Sequence, residues 1–209
     1  MLRRIDQGKA VDRETLERSL RLVDRQIDRL THLVTDLLET VRLEAGTLEL
    51  DCKDTDLVEM VQSLVYQIQL QAARHQIVVR SPDALHASVD PLRFEQVVLN
   101  LLDNAVKFSP DGGEIDIELN DLPARRVRLT VRDHGLGVPL RHRAHLFERF
   151  YQAHGKEHRS GMGLGLYITH EIVERHRGSI TAEFPDDGGT RFVVEIPAAS
   201  REARAQDSI

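Results

Sequence analysis

The feature that most limits the possible folds is a long apolar repeat near the N-terminus. Over residues 12–45 apolar side chains recur at alternating spacings of four and three, the heptad pattern of a coiled-coil helix. Asp12 is a candidate N-cap, and Gly46 is a candidate glycine just past the helix end. The seam consists of Leu16, Leu20, Val23, Ile27, Leu30, Val34, Leu37 and Val41. So long a seam needs partner helices, and we expect a homodimer or helical bundle through residues 12–45. The alternative is a helix that lies on its own domain.

Beyond Gly46 the pattern changes to short strands and helices. A helix is predicted near residues 56–74, and Asp90-Pro91 predicts a capped start for a second helix. Period-two alternation or short apolar runs predict strands at 48–52, 77–81, 86–90, 114–120, 126–133, 179–185 and 190–197. Helices mixed with consecutive strand pairs indicate an α/β sandwich with a largely antiparallel sheet.

Composition excludes several classes of function. The 209 residues carry a net charge of -6, which argues against a nucleic-acid partner. The single cysteine, Cys52, excludes disulfides within the chain and zinc sites with four cysteine ligands. No apolar run approaches the ~20 residues that span a bilayer, and the N-terminus lacks a signal-peptide core. We therefore expect a cytoplasmic chain that makes no membrane contact of its own.

A polar stripe lies on the helix predicted after Pro91. Asn100, Asn104, Lys107 and Phe108 occur at i, i+4, i+7 and i+8 and share one face. The opposite stripe is apolar and consists of Val97, Val98, Leu101, Leu102 and Ala105. Amide oxygens suit Mg²⁺, an ammonium suits phosphate and a phenyl ring can stack on a base. Alone, the stripe fits a ligand cleft and a solvated helix face equally well.

Two further segments are rich in glycine. Asp133 ends a predicted strand before Gly135 and Gly137, where a carboxylate can accept from an exocyclic amine such as N6 of adenine; a plain turn is the alternative. In "SGMGLGLYI", residues 160–168, three glycines at alternate positions precede a helical pattern. N–H groups at a helix N-terminus bind phosphate. The spacing is neither the dinucleotide fingerprint nor a Walker loop.

In their order along the chain these segments resemble the ATP-binding region of sensor histidine kinases. "NLLDNAVKFS" resembles the N box, "DHGLGVP" the G1 box, "LFERFYQ" the F box, "GMGLGL" the G2 box and "GGTRF" the last glycine box. The segment "LVTDLLETVRLEAGTLEL" is similar to the second dimerisation helix and linker of that family. The resemblance covers about residues 12–197.

The resemblance implies a Bergerat (GHKL) sandwich that holds ATP and Mg²⁺. It divides the chain into a partial dimerisation region at 1–48, an ATP-binding domain at 49–198 and a tail at 199–209. By matching positions, Asn104 would hold Mg²⁺, Asn100 would line the same site and Lys107 would meet the phosphates; Asn100 and Lys107 are the expected catalytic residues. Phe108 would pack beside adenine, Asp133 would bind its amine, and Gly135 and Gly137 would shape the adenine pocket. Gly161, Gly163 and Gly165 would contact the triphosphate, and Leu164 between them is a further expected nucleotide-binding residue. Residues 140–160 suit a lid anchored by Phe147 and Phe150. The implied protein partner is a response regulator receiver domain.

The sequence departs from the family at three places. None of the 10 histidines has the H-box setting of the phosphoacceptor, which suggests a chain that starts after the H box and that does not label itself. Gln152 stands where many relatives carry Arg, and Met162 replaces a small hydroxyl residue. The four histidines of the predicted lid, at positions 142, 145, 154 and 158, lack a metal-binding pattern and are interpreted as ordinary loop residues.

Three functions fit these observations. The first is the catalytic part of a sensor histidine kinase, which transfers the γ-phosphoryl of ATP to a histidine for relay to a response regulator. The second is a non-catalytic ATP-binding module that dimerises, docks a regulator or inhibits intact kinases. The third is an ATPase like gyrase or Hsp90, ranked last because Asn100 holds the place of the acidic base that such enzymes need.

Overall fold

A computed structural model of the protein describes residues 13–46, 48–153 and 162–199. The helices are α1 (Arg13–Glu44), α2 (Leu57–Gln71), α3 (Pro91–Lys107), α4 (Leu140–Arg143) and α5 (Gly165–Arg175). The strands are β1 (Lys53–Asp56), β2 (His75–Arg80), β3 (His86–Val89), β4 (Gly113–Leu122), β5 (Arg126–Asp133), β6 (Ser179–Glu183) and β7 (Thr190–Pro197).

The sheet confirms the predicted mixed, largely antiparallel arrangement. Five strands lie in the order β2-β4-β5-β7-β6, in which only β2 and β4 run parallel. The predicted pairs 114–120 with 126–133 and 179–185 with 190–197 are both neighbours in this sheet. β1 and β3 form a separate antiparallel pair.

α3 places its two stripes as the sequence predicts. The five residues of its apolar stripe are at most 3% exposed and belong to the core between helices and sheet. Pro91 is its first residue, and the carboxylate of Asp90 accepts from the backbone N–H of Arg93 at 3.2 Å. The opposite, polar stripe therefore lies away from the core.

The predicted long helix is present as α1. Gly46 follows it at φ +66°, and its backbone N–H donates to the carbonyl of Leu43 at 3.1 Å, as expected for a glycine past the helix end. Asp12 lies outside the described residues. All eight seam residues are 42–60% exposed, so a single chain leaves the seam uncovered.

One predicted strand is displaced. The prediction at 48–52 is wrong, because the strand forms at Lys53–Asp56 instead. That strand pairs with β3 in the register Lys53↔Val89 to Asp56↔His86. Its sequence, KDTD, has no apolar residue, so its position depends on pairing with a neighbour rather than on local alternation.

Candidate functional site

One open cleft lies between α3, the loop after β5 and the N-terminus of α5. Its volume is about 1070 Å³, including the part open to solvent. Nine of the predicted site residues line it: Asn100, Asn104, Lys107, Phe108, Asp133, Gly137, Gly163, Leu164 and Gly165. Gly161 lies outside the described residues. The structure thus gathers three segments that are separated by about 25 residues each into one cleft.

The polar stripe of α3 forms one wall of the cleft. Nζ of Lys107 lies 4.8 Å from the centre of the Phe108 ring, so an ammonium and an aromatic face are presented together. Asp103, which sequence analysis did not single out, also lines this wall and is exposed. Its position three residues after Asn100 places it on the same helix face, a signal that the sequence contained.

Asn100 connects this wall to α5. Its side-chain nitrogen donates to the carbonyl of Gly165 at 3.3 Å and to Oγ1 of the buried Thr169 at 3.4 Å. These bonds hold the first turn of α5 against α3. Asn100 therefore positions the helix N-terminus as well as lining the cleft.

Asp133 is the buried charge of the site. Its side chain is 3% exposed, and Oδ1 accepts from the backbone N–H of Gly135 at 2.9 Å and of Thr190 at 3.3 Å. Burial raises the pKa of this carboxyl above its usual range, although the two N–H donors oppose the shift. Because both bonds go to Oδ1, Oδ2 is the oxygen that a ligand donor would use.

Gly135 shapes the cleft without lining it. A Cβ atom there would lie 2.0 Å from the carbonyl oxygen of Phe108, which accepts from the backbone N–H of Leu136 at 2.9 Å. Only glycine lets the loop pack this closely against the end of α3. The prediction that this residue shapes the pocket therefore rests on packing and not on direct exposure to a ligand.

Gly163 and Gly165 differ in what they need. Gly163 has φ +74°, and a Cβ atom there would lie 2.5 Å from the carbonyl oxygen of Tyr151. At Gly165 a Cβ atom would lie 3.5 Å from Oδ1 of Asn100, an ordinary contact. Of these two positions, only 163 requires glycine for the fold itself. The glycine at 165 leaves space at the helix N-terminus.

The described part of the predicted lid, up to residue 153, covers one side of the cleft through Tyr151, Gln152 and Ala153. Phe147 packs against the core, with its ring centre 6.4 Å from that of Phe192. Phe150 is 59% exposed at φ +61°, so the prediction that it anchors the lid is wrong.

Two of the lid histidines have partners within the protein. Nδ1 of His142 lies 2.5 Å from the hydroxyl of Tyr151, and Nδ1 of His145 lies 2.7 Å from a carboxylate oxygen of Glu148. His154 and His158 lie outside the described residues.

α1 supplies a residue that sequence analysis missed. Asp36 is half-buried and lines the same cleft as the polar stripe of α3 and the glycine segment. It lies 64 residues before Asn100, so no local pattern links the two. Only the packing of α1 against the rest of the chain brings it to the site.

Comparison with known proteins decides the family. Residues 89–200, more than half of the chain, match the histidine kinase-, DNA gyrase B- and HSP90-like ATPase family. The chain belongs to this ATPase family. Within the family the similar proteins are sensor histidine kinases, and the chain carries an ATP-binding domain of the sensor-histidine-kinase type. The resemblance that the five motifs carry is thereby confirmed.

Similarity to individual sensor kinases supports the same family. The chain is 34% identical over 185 residues to sensor histidine kinase TmoS of Ectopseudomonas mendocina, covering 87% of this chain and 19% of TmoS. It is 30% identical to the adaptive-response sensory kinase SasA of Synechococcus sp., covering 90% of this chain and 50% of SasA. Full-length ShkA, solved in complex with AMPPNP, matches 93% of this chain and 41% of its own at TM-score 0.75 and 26% identity. The chain spans half or less of each of these relatives.

The residues present fit a divalent cation beside a nucleotide. Asn100 and Asn104 offer amide oxygens, Asp36 and Asp103 offer carboxylates, and all four line the same cleft as Lys107. Hard oxygen donors of this kind are those that Mg²⁺ shares with phosphates.

Among the described helices, none is long and apolar enough to cross a membrane.

Proposed function

We propose that this ATP-binding domain binds Mg-ATP and transfers the γ-phosphoryl group to a histidine that does not belong to residues 1–209, for relay to an aspartate of a response regulator. The observation that carries the proposal is the convergence of Asn104, Asp133 and the glycine segment at 163–165 on one cleft. The names of the relatives as sensor kinases support the same reaction.

The adenine end is assigned to Asp133. Its Oδ1 is occupied by two backbone N–H groups, and Oδ2 accepts from the exocyclic amine of the base. A buried carboxylate held in this way discriminates strongly, because a base without a donor at that point leaves the charge unpaired. Phe108, at the same cleft, supplies an aromatic face beside the base.

The phosphate end is assigned to α3 and to the start of α5. Lys107 neutralises phosphate oxygens, and the start of α5 lines the same cleft. The N-cap residue Leu164 makes no side-chain cap bond, and the N–H groups of a helix N-terminus bind phosphate. Mg²⁺, when bound through Asn104, supplies charge neutralisation of the β- and γ-phosphates. Tyr151, Gln152 and Ala153 line the same cleft, where closure of the lid would shield the transferred group from water.

Transfer breaks the bond between the γ-phosphorus and the bridging oxygen and forms a phosphorus–nitrogen bond to imidazole, with ADP as leaving group. Incubation with ATP labelled at the γ-phosphate tests this. We expect label on an added dimerisation domain that carries an intact H box and little label on this chain alone. Label that stays on this chain, or no label on either protein, would contradict the proposed transfer.

A second candidate is an ATP-binding interaction module without kinase activity. Gln152 lines the cleft at the place where many relatives carry Arg, and a neutral amide supplies no charge to the γ-phosphate. The two candidates differ in one measurement. A chain that binds Mg-ATP tightly but leaves the added H-box domain unlabelled is a binding module, whereas the kinase labels it.

We also propose that α1 forms a homodimer through its seam. Its eight seam residues expose at least 42% of their surface each in the single chain, which is unfavourable for apolar side chains along a helix of 32 residues. A second copy of the same seam buries them. The receiver domain of a response regulator is the further partner that the family resemblance implies.

A further inference from the structure

α1 adds a carboxylate to the charged side chains that line the cleft. Asp36 of α1 lines the cleft together with Asp103, Asn104 and Lys107 of α3. Among the described residues, this set supplies two carboxylates and one ammonium to the cleft. The summed formal charge of these four residues is negative, although the expected ligand is a polyanion.

A set of polar contacts holds α1 in this position. The carboxylate of Glu39, 5% exposed, accepts from Arg93 and from the amide of Gln96, both on α3. Nη2 of Arg175 donates to the carbonyl of Leu43 at 2.8 Å. Glu39 lies one helical turn after Asp36, so the buried ion pair sets where the Asp36 carboxylate lies.

A second ion pair joins α1 to the lid. Glu44 pairs with Arg149, whose guanidinium lies 5.3 Å from the centre of the Tyr167 ring on α5. Leu43 is the buried apolar residue of this contact, at 3% exposure. A contact built chiefly from ion pairs and hydrogen bonds separates more readily than an apolar one, so docked and undocked helices can exchange.

The charge at Asp36 makes docking depend on what the cleft holds. A metal-free nucleoside triphosphate carries more negative charge than its complex with a divalent cation. The free triphosphate therefore repels the docked Asp36, whereas a bound cation attracts it. Coupling of this kind acts in both directions, because binding and docking share one free-energy cycle.

We propose that Asp36 makes the docked state of α1 selective for nucleotide loaded with a divalent cation, and that metal-free nucleotide displaces the helix. The proposal rests on the proposed nucleotide binding at this cleft. Asp36 is thus a specificity-determining residue supplied by the dimerisation helix. Through it the cation content of the cleft controls the contact between helix and catalytic domain.

The first test compares ATP affinity with Mg²⁺ and with EDTA for the full chain. In the wild type we expect a large ratio between the two dissociation constants, and in Asp36→Asn a ratio smaller by roughly 3- to 10-fold, the effect of one unit charge at partly screened distance. Asp24→Asn, an exposed residue of the same helix, is the matched control and should keep the wild-type ratio. An Asp36→Asn ratio equal to the wild type overturns the proposal.

The second test reads docking itself by hydrogen exchange of the backbone amides 37–44. ATP with EDTA should speed their exchange in the wild type, and ATP with Mg²⁺ should not. Asp36→Asn should remove the difference. Equal exchange under both conditions in the wild type would contradict the coupling.

A third variant separates docking from general charge effects. Glu39→Gln weakens the ion pair that docks α1, so adding Asp36→Asn to it should change the affinity ratio much less than in the wild type. An undiminished effect in that background overturns the role of docking. A wild type that binds no nucleotide under either condition overturns the proposed function, whereas binding with an unchanged ratio overturns this inference alone.

Discussion

The backbone N–H of Thr190, the first residue of β7, donates to Oδ1 of Asp133, the last residue of β5, at 3.3 Å. The two strands are neighbours, and Asp133 is paired with Thr190 in their register. The sheet itself thus holds the carboxylate at the floor of the cleft. Its position does not depend on the lid or on α1.

We predict that Asp133→Asn lowers the affinity for ATP without lowering the free energy of unfolding. The amide oxygen can keep the two backbone bonds, which turns its NH₂ group toward the amine of adenine, so a donor faces a donor. ATP affinity should fall by about 10- to 100-fold, the effect of one lost bond and one unsatisfied group. Calorimetric titration measures this, and Asp121→Asn, on an exposed position of β4, is the control.

The same variant should not be less stable at neutral pH. Because burial raises the folded pKa of Asp133 above the ordinary 3.8, its contribution to stability is complete below that value and is lost as pH rises through the folded pKa. Asp133→Asn has no carboxyl group to ionise, so it does not lose this stability as the pH rises. Unfolding in urea at pH 7 should show equal or higher stability for Asp133→Asn, and a large decrease would contradict the assignment of burial as the main cause.

His176 should make the protein less stable in mild acid. Its Nδ1–H donates to the carbonyl of Ile172 at 2.7 Å, and Nε2 accepts from the backbone N–H of Asp90 at 2.9 Å. Burial lowers its pKa below the ordinary 6.5. The unfolded chain therefore binds the proton more readily, so stability falls as pH drops below about 6.5. Urea midpoints of the wild type and His176→Gln at pH 7.5 and 5.5 measure this, and the variant should lose less stability between the two.

The two cleft glycines should respond differently to alanine. Gly163→Ala places a Cβ atom 2.5 Å from a backbone oxygen at positive φ and should destabilise the protein by about 1–3 kcal/mol. Gly165→Ala meets only ordinary contacts at a helix start and should leave stability unchanged or raise it slightly. Gly165→Ala should instead lower the affinity for the nucleotide. Thermal unfolding with and without ATP distinguishes these outcomes, and equal destabilisation by both variants would contradict them.

The seam of α1 should mediate dimer formation. Leu30, a seam residue at 60% exposure, can be replaced by Asp, and Leu22, at 53% exposure but outside the seam, is the matched control. We expect Leu30→Asp to be monomeric and Leu22→Asp to remain dimeric in sedimentation velocity. A wild type that is monomeric at high micromolar concentration would be evidence against the dimer.

The sequence was most informative where local patterning and burial agree. β5 and β7 form over the predicted ranges 126–133 and 190–197, because their alternating side chains face a core on one side only. The polar and apolar stripes of α3 were equally predictable, since the helical period separates the two faces. The strand expected at 48–52 failed because β1 is selected by pairing with β3 across 30 residues of chain.

The site was predictable as far as its motifs extend. Asn104, Asp133 and Gly163 were predicted because each belongs to a segment with a recognisable pattern, and all three line the cleft. Thr190 acts through its backbone, and Asp36 acts through the docking of a distant helix, so neither side chain carries a local signal. Phe150 was misassigned because an aromatic residue in a lid motif does not reveal which way a backbone at positive φ turns it.

Adenine recognition at this cleft is tested most directly by titrating the chain with AMPPNP and with the corresponding guanine analogue, both in Mg²⁺. In the proposed assignment Asp133 accepts from the exocyclic amine of adenine, and guanine carries an oxygen at that position, so the two nucleotides differ at the atom that the buried carboxylate would contact. We expect one AMPPNP bound per chain, loss of binding in Asn104→Ala, and at least a tenfold preference for AMPPNP over the guanine analogue. A folded wild type that binds neither nucleotide, or both equally, would contradict this assignment.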